Sequence, residues 1–282
     1  MLDNFQKLTD DKTRLEADGY VHIKNVVPMD RIQTINDCYH LYWFELIRAG
    51  QAGLRDHSKH PLEKLYPRVR DLHYRNNTIK EIILSTHVIE LLENLIEERI
   101  LIVSTSYYFK APQTRGMPDH QDNFAIGAAP KSSYSMWISL DESDRENGGL
   151  RFYKGSHKFG PLPTRGTLNA SNNPFSDAGQ KTIMPAYSEE CAVETAPGDV
   201  VVFHGDTIHG SYDNVSPHRF RRALLVHFAG ASVERLVLNF NQLLDRKGER
   251  VRRRLNTRPM ITGDESVLAL KQAQYYNSTG WK

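Results

Sequence analysis

The sequence predicts a mainly β fold, an antiparallel sandwich or barrel, flanked by helices. Three observations carry this expectation. Between Arg99 and Gly230, strand-like runs (ILIVSTSYYFK, SSYSMWISL, GGLRFYKG, CAVETAPGDVVVFHG and RRALLVHFAG) follow one another with Gly, Pro and Asn punctuation and no helical pattern between them. Before that region, apolar residues recur at helical spacing. No internal repeat, low-complexity tract or linker divides the 282 residues. A single domain over 1–282 is therefore expected, with a helical part at 1–98, a β core at about 99–230 and a helical segment at 231–282.

Taken in order, Asp10 to Glu16 reads as a short helix that Asp18-Gly19 breaks, and Tyr20 to Val27 is β-rich and stops at Pro28. Met29 to Ala49 carries Ile32, Ile35, Tyr39, Tyr42, Phe44, Leu46 and Ile47 at helical spacing, closed by Gly50. Gln51 to Asn77, rich in His, Arg and Pro, reads as a loop-rich surface segment. Ile79 to Glu98 shows a broad apolar stripe through Ile82, Ile83, Val88, Leu91, Leu92 and Leu95. The insert from Pro161 to Glu189 interrupts the strand series as a lid or surface excursion. After Gly230, VERLVLNFNQLLDRKGERVRRRL again reads as helical, with Arg250 to Arg254 on a solvated face.

Composition narrows the class. With 39% apolar and 25% charged residues the chain can bury a sizeable core, and a net charge of +2 is too small to point to nucleic acid or an anionic membrane. Apolar runs fall far short of the ~20 residues of a spanning helix. The N-terminal stretch lacks the blocks of a secretory signal. Cys38 and Cys191 lie far apart, without metal-type or disulfide spacing. A cytoplasmic protein is expected, with no nucleic-acid or membrane partner.

The chemistry-bearing stretch is GMPDHQDNF. In extended backbone, residues two apart project from one face, so His120 and Asp122 can address one metal ion. Non-haem iron oxygenases use two histidines and a carboxylate. Downstream candidates for the second histidine are His157, His204, His209, His218 and His227. Pro197-Gly198-Asp199 is a turn that launches Val200 to Phe203 as a strand, after which Thr207 to Ser211 can bring His209 back beside the pair. On spacing alone, His204 competes with it. Lys110 shares strand parity with Ser104, Ser106 and Tyr108, a polar face suited to a cavity mouth.

The ordered set HQD, NGGLRFYKGSHK, PGDVVVFHGDTIHGS and FRRALLVHF, spanning about Ile100 to Gly230, resembles the phytanoyl-CoA dioxygenase family of Fe(II)- and 2-oxoglutarate-dependent oxygenases. A weaker echo lies in DGYVHIKNVVP. The resemblance implies a double-stranded β-helix, or cupin-like jelly roll, with His120, Asp122 and His209 as metal ligands, the HGS context favouring His209 over His204. It implies Fe(II), 2-oxoglutarate and O2 as cofactor and cosubstrates, with Trp137 near 2-oxoglutarate and His157 as a non-ligating position. The distal carboxylate of 2-oxoglutarate needs a cation, and arginine offers a matching planar fork. Arg221 and Arg222 point to opposite faces of a strand, and alternation does not choose between them. The small Ala223 beside Arg221, and the resemblance, favour Arg221.

Related halogenases carry a small non-ligating residue where Asp122 stands, so hydroxylation, or a variant such as desaturation, is the implied outcome. The acceptor is expected to be a small molecule; acyl-CoA, an amino acid, a phosphonate and a secondary metabolite are all compatible. Arg68, Arg70, Arg75 and Arg115 can attract an anionic group. A hydrolase using the same ligands on zinc, or a non-catalytic jelly-roll binding protein, are the alternatives. The sequence leaves the oligomeric state open.

Overall fold

The structure, a computed structural model, describes residues 2–54, 62–166, 180–185 and 189–256. Its elements run α1 (Leu2–Asp18), β1 (Tyr20–Ile23), α2 (Met29–Arg48), α3 (Leu62–Leu65), β2 (Val69–Arg70), α4 (Asn77–Ile83), α5 (Thr86–Ile96) and β3 (Ile100–Tyr108). They continue with α6 (Asp122–Ile126), β4 (Ser133–Ser139), β5 (Leu150–Tyr153), β6 (Thr164–Gly166), β7 (Gln180–Thr182), β8 (Glu190–Val193), β9 (Val200–His204), β10 (His209–Ser211) and β11 (Ala223–Gly230). Short strands close the series: β12 (Arg235–Leu236), β13 (Leu243–Leu244), β14 (Arg250–Val251) and β15 (Arg254–Leu255).

The jelly roll is built from a large sheet in the order β1-β9-β4-β11-β3-β13-β14, with β2 also on β3, and a small sheet in the order β10-β5-β8. Pairing within both is antiparallel. Strand periodicity sorts the residues. On β11, Leu224, Val226 and Phe228 join the cluster that the helices cover, with Ile32, Ile35 and Tyr39 of α2 and Val88, Ile89, Leu92 and Leu95 of α5. Ala223 and Leu225 face the other way, into a second cluster between the sheets with Trp137, Leu150, Phe152, Val201 and Phe203. Because β9 is covered on both faces, Val200 to Phe203 reads as an unbroken apolar run.

The turn before β9 is held by Asp199. Its Oδ1 accepts from Asn25 N–H at 2.9 Å and its Oδ2 from Ala196 N–H at 3.1 Å, with His22 Nε2 2.9 Å away. Gly198 is needed there: its φ is +90°, and a Cβ would lie 2.5 Å from Val27 O.

Three expectations change. The helical stretch 79–98 is two helices, interrupted at Leu84-Ser85, with Asn76 Oδ1 accepting from Ile79 N–H at 3.0 Å to cap the first. The first helix spans Leu2–Asp18, longer than the expected 10–16. The expected helical segment 231–282 is instead, over its described residues 231–256, short strands and turns; residues 257–282 lie outside the described residues. Tertiary contacts override the helical spacing: Leu244 pairs with Ile102 at the edge of β3, while Val233, Leu236 and Leu243 fill a cluster with Leu101, Val103 and Ile126. Asp245 makes the turn, its Oδ1 accepting from Lys247 N–H and Glu249 N–H, both at 2.9 Å. Arg253 is not on a solvated helix face, since it donates to Val233 O and Ala231 O at 2.7 and 3.1 Å. Of the insert, β6 and β7 pair with each other, and residues 167–179 and 186–188 lie outside the described residues, as do 55–61 of the loop-rich segment.

Candidate metal centre

Backbone pairing decides which side chains meet at the mouth of the jelly roll. His120 and His209 form an isolated antiparallel bridge, His120 N–H donating to His209 O at 2.8 Å and His209 N–H to His120 O at 3.0 Å. The close approach depends on Gly210, where a Cβ would fall 2.6 Å from Asp119 Oδ1 and 2.8 Å from Met117 O. The two imidazole centroids consequently lie 4.3 Å apart. Asp122 opens α6, and its Oδ1 lies 3.5 Å from His120 Nε2 and 3.7 Å from His209 Nε2. One ligand atom from each residue falls within 4.8 Å of the others.

Neighbouring groups prepare these atoms. His120 Nδ1 lies 2.8 Å from Pro118 O, and His209 Nδ1 lies 2.9 Å from Thr207 O. A carbonyl only accepts, so both Nδ1 atoms carry hydrogen and both Nε2 atoms are turned toward Asp122. Ser135 Oγ donates to Asp122 Oδ2 at 2.7 Å and lies 2.8 Å from His227 Nδ1. Its one hydrogen is committed to the carboxylate, so His227 donates to it.

The protonation states suit a cation. Burial alone would raise the Asp122 carboxyl, but His227, His209 and His120 outweigh it and hold the group well below the usual carboxylate range. Burial, reinforced by His120, pushes His209 down to about 4. At His120, burial opposes the proton while Asp122 favours it; the attraction wins and raises the pKa, a proton that a divalent cation would replace.

A pocket beside the triad is lined by Tyr108, Lys110, Trp137, Arg221 and Leu225. Arg221 is 2% exposed, and its Nε donates to Gly148 O at 3.0 Å, but Nη1 is buried without a partner. It forms no ion pair among the described residues, and its guanidinium carbon lies 4.6 Å from the Trp137 ring centroid. Burial lowers its pKa to about 9. Trp137 Nε1 is likewise buried and unpartnered. Lys110 donates to Ser211 Oγ at 3.0 Å and Tyr212 O at 2.6 Å, and burial, then Arg221, drives its pKa well down. A buried cation with an unpaired N–H calls for an anion. Arg222 points to the other face, where Asp141 holds it bidentately at 2.6 and 2.8 Å.

His204 and His157 stand apart from the cluster. His204 is opposite Tyr134 on the outer face of β9, its Nδ1 3.2 Å from Asp206 N. His157 Nε2 lies 3.1 Å from Glu16 O. His227 is a satisfied histidine buried within β11 and linked to Asp122 through Ser135. Its parity with Arg221 and Leu225 was the available signal; Ser135 had none, because its partners Asp122 and His227 are 13 and 92 residues away and only the fold brings them together. Gln121, unremarked in the sequence, has its own task. Its Nε2 donates to Gly160 O and Asp206 O at 2.9 and 2.6 Å, and its Oε1 accepts from Leu162 N–H at 2.8 Å, tying the segment that carries His120 and Asp122 to the start of the insert.

Comparisons with known proteins bear on this arrangement. "Phytanoyl-CoA dioxygenase 1" of Oryza sativa subsp. japonica is 33% identical over 159 residues, 55% of this chain and 54% of that protein. The chain thus spans about half the length of that curated relative. "2-Aminoethylphosphonate dioxygenase" of an uncultured bacterium, HF130_AEPn_1, is 27% identical over 219 residues, 77% of this chain and 79% of that protein. Among solved structures, the epimerase SnoN in complex with Fe3+, alpha ketoglutarate and nogalamycin RO superposes with a TM-score of 0.64 at 19% identity, covering 81% of this chain and 86% of that one, a likeness of fold. The family model for phytanoyl-CoA dioxygenase (PhyH) matches residues 15–223, from the end of α1 to the first residue of β11. That match covers well over half of the chain and takes in the His120-Asp122-His209 cluster and Arg221, so the protein belongs to the phytanoyl-CoA dioxygenase family.

Proposed function

We propose that this protein is an Fe(II)- and 2-oxoglutarate-dependent oxygenase of a small molecule, with His120, Asp122 and His209 as the iron ligands. The observation that carries the reading is the convergence of two histidine Nε2 atoms and one ionised carboxylate beside a buried arginine whose Nη1 has no partner. Two histidines and a carboxylate suit ferrous iron and leave coordination positions for a bidentate keto acid and oxygen. When bound, iron and 2-oxoglutarate together supply oxygen activation: the keto acid is decarboxylated to succinate and CO2, and one oxygen atom goes to the acceptor.

The chain's own contribution is positional. Arg221 pairs with the distal carboxylate of 2-oxoglutarate through the unpartnered Nη1, Trp137 braces that guanidinium, and Lys110 adds positive charge to the same pocket. Asp122 keeps a carboxylate at the position that must be vacated for halide, which favours hydroxylation or desaturation.

Anaerobic addition of Fe(II) and 2-oxoglutarate is expected to give a weak visible charge-transfer band; a protein that binds iron without developing the band refutes the proposal. Ser135→Ala removes the hydroxyl that orients Asp122 and separates it from His227. Iron affinity should then fall by roughly 10–100-fold, as for other groups that orient a metal ligand, in an anaerobic titration with an iron chelator as competitor.

A further inference from the structure

The four arginines noted in the sequence between Arg68 and Arg115 have different fates. Arg115 is bound bidentately by the buried Glu63, Nε to Oε1 at 2.9 Å and Nη2 to Oε2 at 2.8 Å. Arg75 is exposed. Arg70 is placed by strand register. It pairs with Ser106, which pairs with Leu225, which pairs with Trp137, and directly paired residues share a face. The row Arg70-Ser106-Leu225-Trp137 therefore lies on the inner face of the large sheet. The adjacent row is Ser104-His227-Ser135, which holds Asp122. Arg70 thus projects inward from β2, at the outer edge of β3 and one row from the metal centre, whereas Arg221 lies further along the same face, ahead of β11, in a pocket lined by Trp137 and Leu225 but not by Arg70.

Other observations mark this corner as a site for a ligand. Arg70 makes no ion pair among the described residues; its guanidinium carbon lies 5.2 Å from the Phe240 ring centroid, a contact that steadies the cation without neutralising it. Ser104, 2% exposed and on the same face, has a buried Oγ with no partner. Asp71 is the carboxylate that feels Arg70 and Arg68, and its Oδ1 already accepts from Thr105 N–H at 2.9 Å. That hydrogen bond holds Asp71 against the β3 backbone.

We propose that Arg70, with the Ser104 hydroxyl, binds an oxyanion of the acceptor, a carboxylate or a phosphonate, beside the metal centre and apart from the Arg221 pocket. This deepens the oxygenase reading and rests on it. A planar fork holds such a group through two parallel hydrogen bonds and fixes which carbon of the acceptor faces the metal.

The test is calorimetric titration of the full chain with methylphosphonate and, separately, propionate, anaerobically, with Fe(II) and enough 2-oxoglutarate to saturate the visible band and keep Arg221 occupied. At least one anion should bind, and which one distinguishes phosphonate from carboxylate. Arg70→Gln should weaken binding at least tenfold while leaving the band unchanged. If that variant fails to fold, Arg70→Lys, which keeps the charge but loses the fork, should weaken it at least threefold. Failure of both anions to bind the wild-type protein, or binding by Arg70→Gln within twofold of wild type, overturns the assignment. Absence of the band in wild-type protein refutes the oxygenase reading instead, and Arg70-dependent anion binding is then still decided by the same titration.

Discussion

Asp122→Ala is expected to abolish succinate formation, lowering turnover by about 10³-fold or more, since losing a ligand must exceed the 10–100-fold cost of losing a group that only orients one. The carboxylate has two tasks. It is the one anionic member of the cluster, and His227, His209 and His120 around it favour its ionised form. Asp122→Asn separates the tasks: its side-chain oxygen can still accept from Ser135, but the charge is gone. Iron binding by the Asn variant should fall nearly as far as in the Ala variant, with the thermal midpoint closer to wild type. Succinate production at more than a tenth of the wild-type rate in either variant would remove Asp122 from the ligand set.

The second large effect is at Arg221, and its sign on stability is unusual. Arg221→Leu should raise the KM for 2-oxoglutarate by about 100-fold, the worth of roughly 2–3 kcal/mol for charged hydrogen bonds. The same change removes a buried cation that has one carbonyl partner and, among the described residues, no carboxylate, so the thermal midpoint should hold or rise. Arg222→Leu should do the reverse. It breaks the half-buried bidentate pair with Asp141, costing about 1–3 kcal/mol of stability after allowing for its exposure, and leaves KM within twofold. Steady-state kinetics and thermal unfolding of both variants decide this. An Arg221→Leu protein with unchanged KM would place the cosubstrate elsewhere.

These opposite fates show how far alternation carries and where it stops. In Phe220-Arg221-Arg222-Ala223 the sequence establishes that one arginine faces each way, but not which face lies inside. The large sheet decides it, because helices cover Leu224 and Val226 on one side and the small sheet covers Ala223 and Leu225 on the other. The same layering sends His227 inward to Ser135. His204 and His209 are five residues apart and equally suited by spacing. The turn between them reverses the chain, leaving His204 opposite Tyr134 on the outer face while His209 enters the small sheet and pairs with His120.

The C-terminal segment marks the limit of local pattern. Val233, Leu236, Leu243 and Leu244 are spaced for a helix, yet each finds its partner across the edge of β3 and in the adjoining cluster, contacts that no window of neighbouring residues records. Sequence by itself determined what depends on short-range rules: the strand series with its Gly and Pro turns, the helices that α2 and α5 bear out, and the HQD, PGD and HGS stretches. Tertiary structure alone decided which side of each strand is buried, which histidine meets Asp122, and that Arg70, Ser104 and His227 share a face. Those outcomes depend on pairing between residues tens of positions apart, where the free energy of burying one face against another layer overrides local preference.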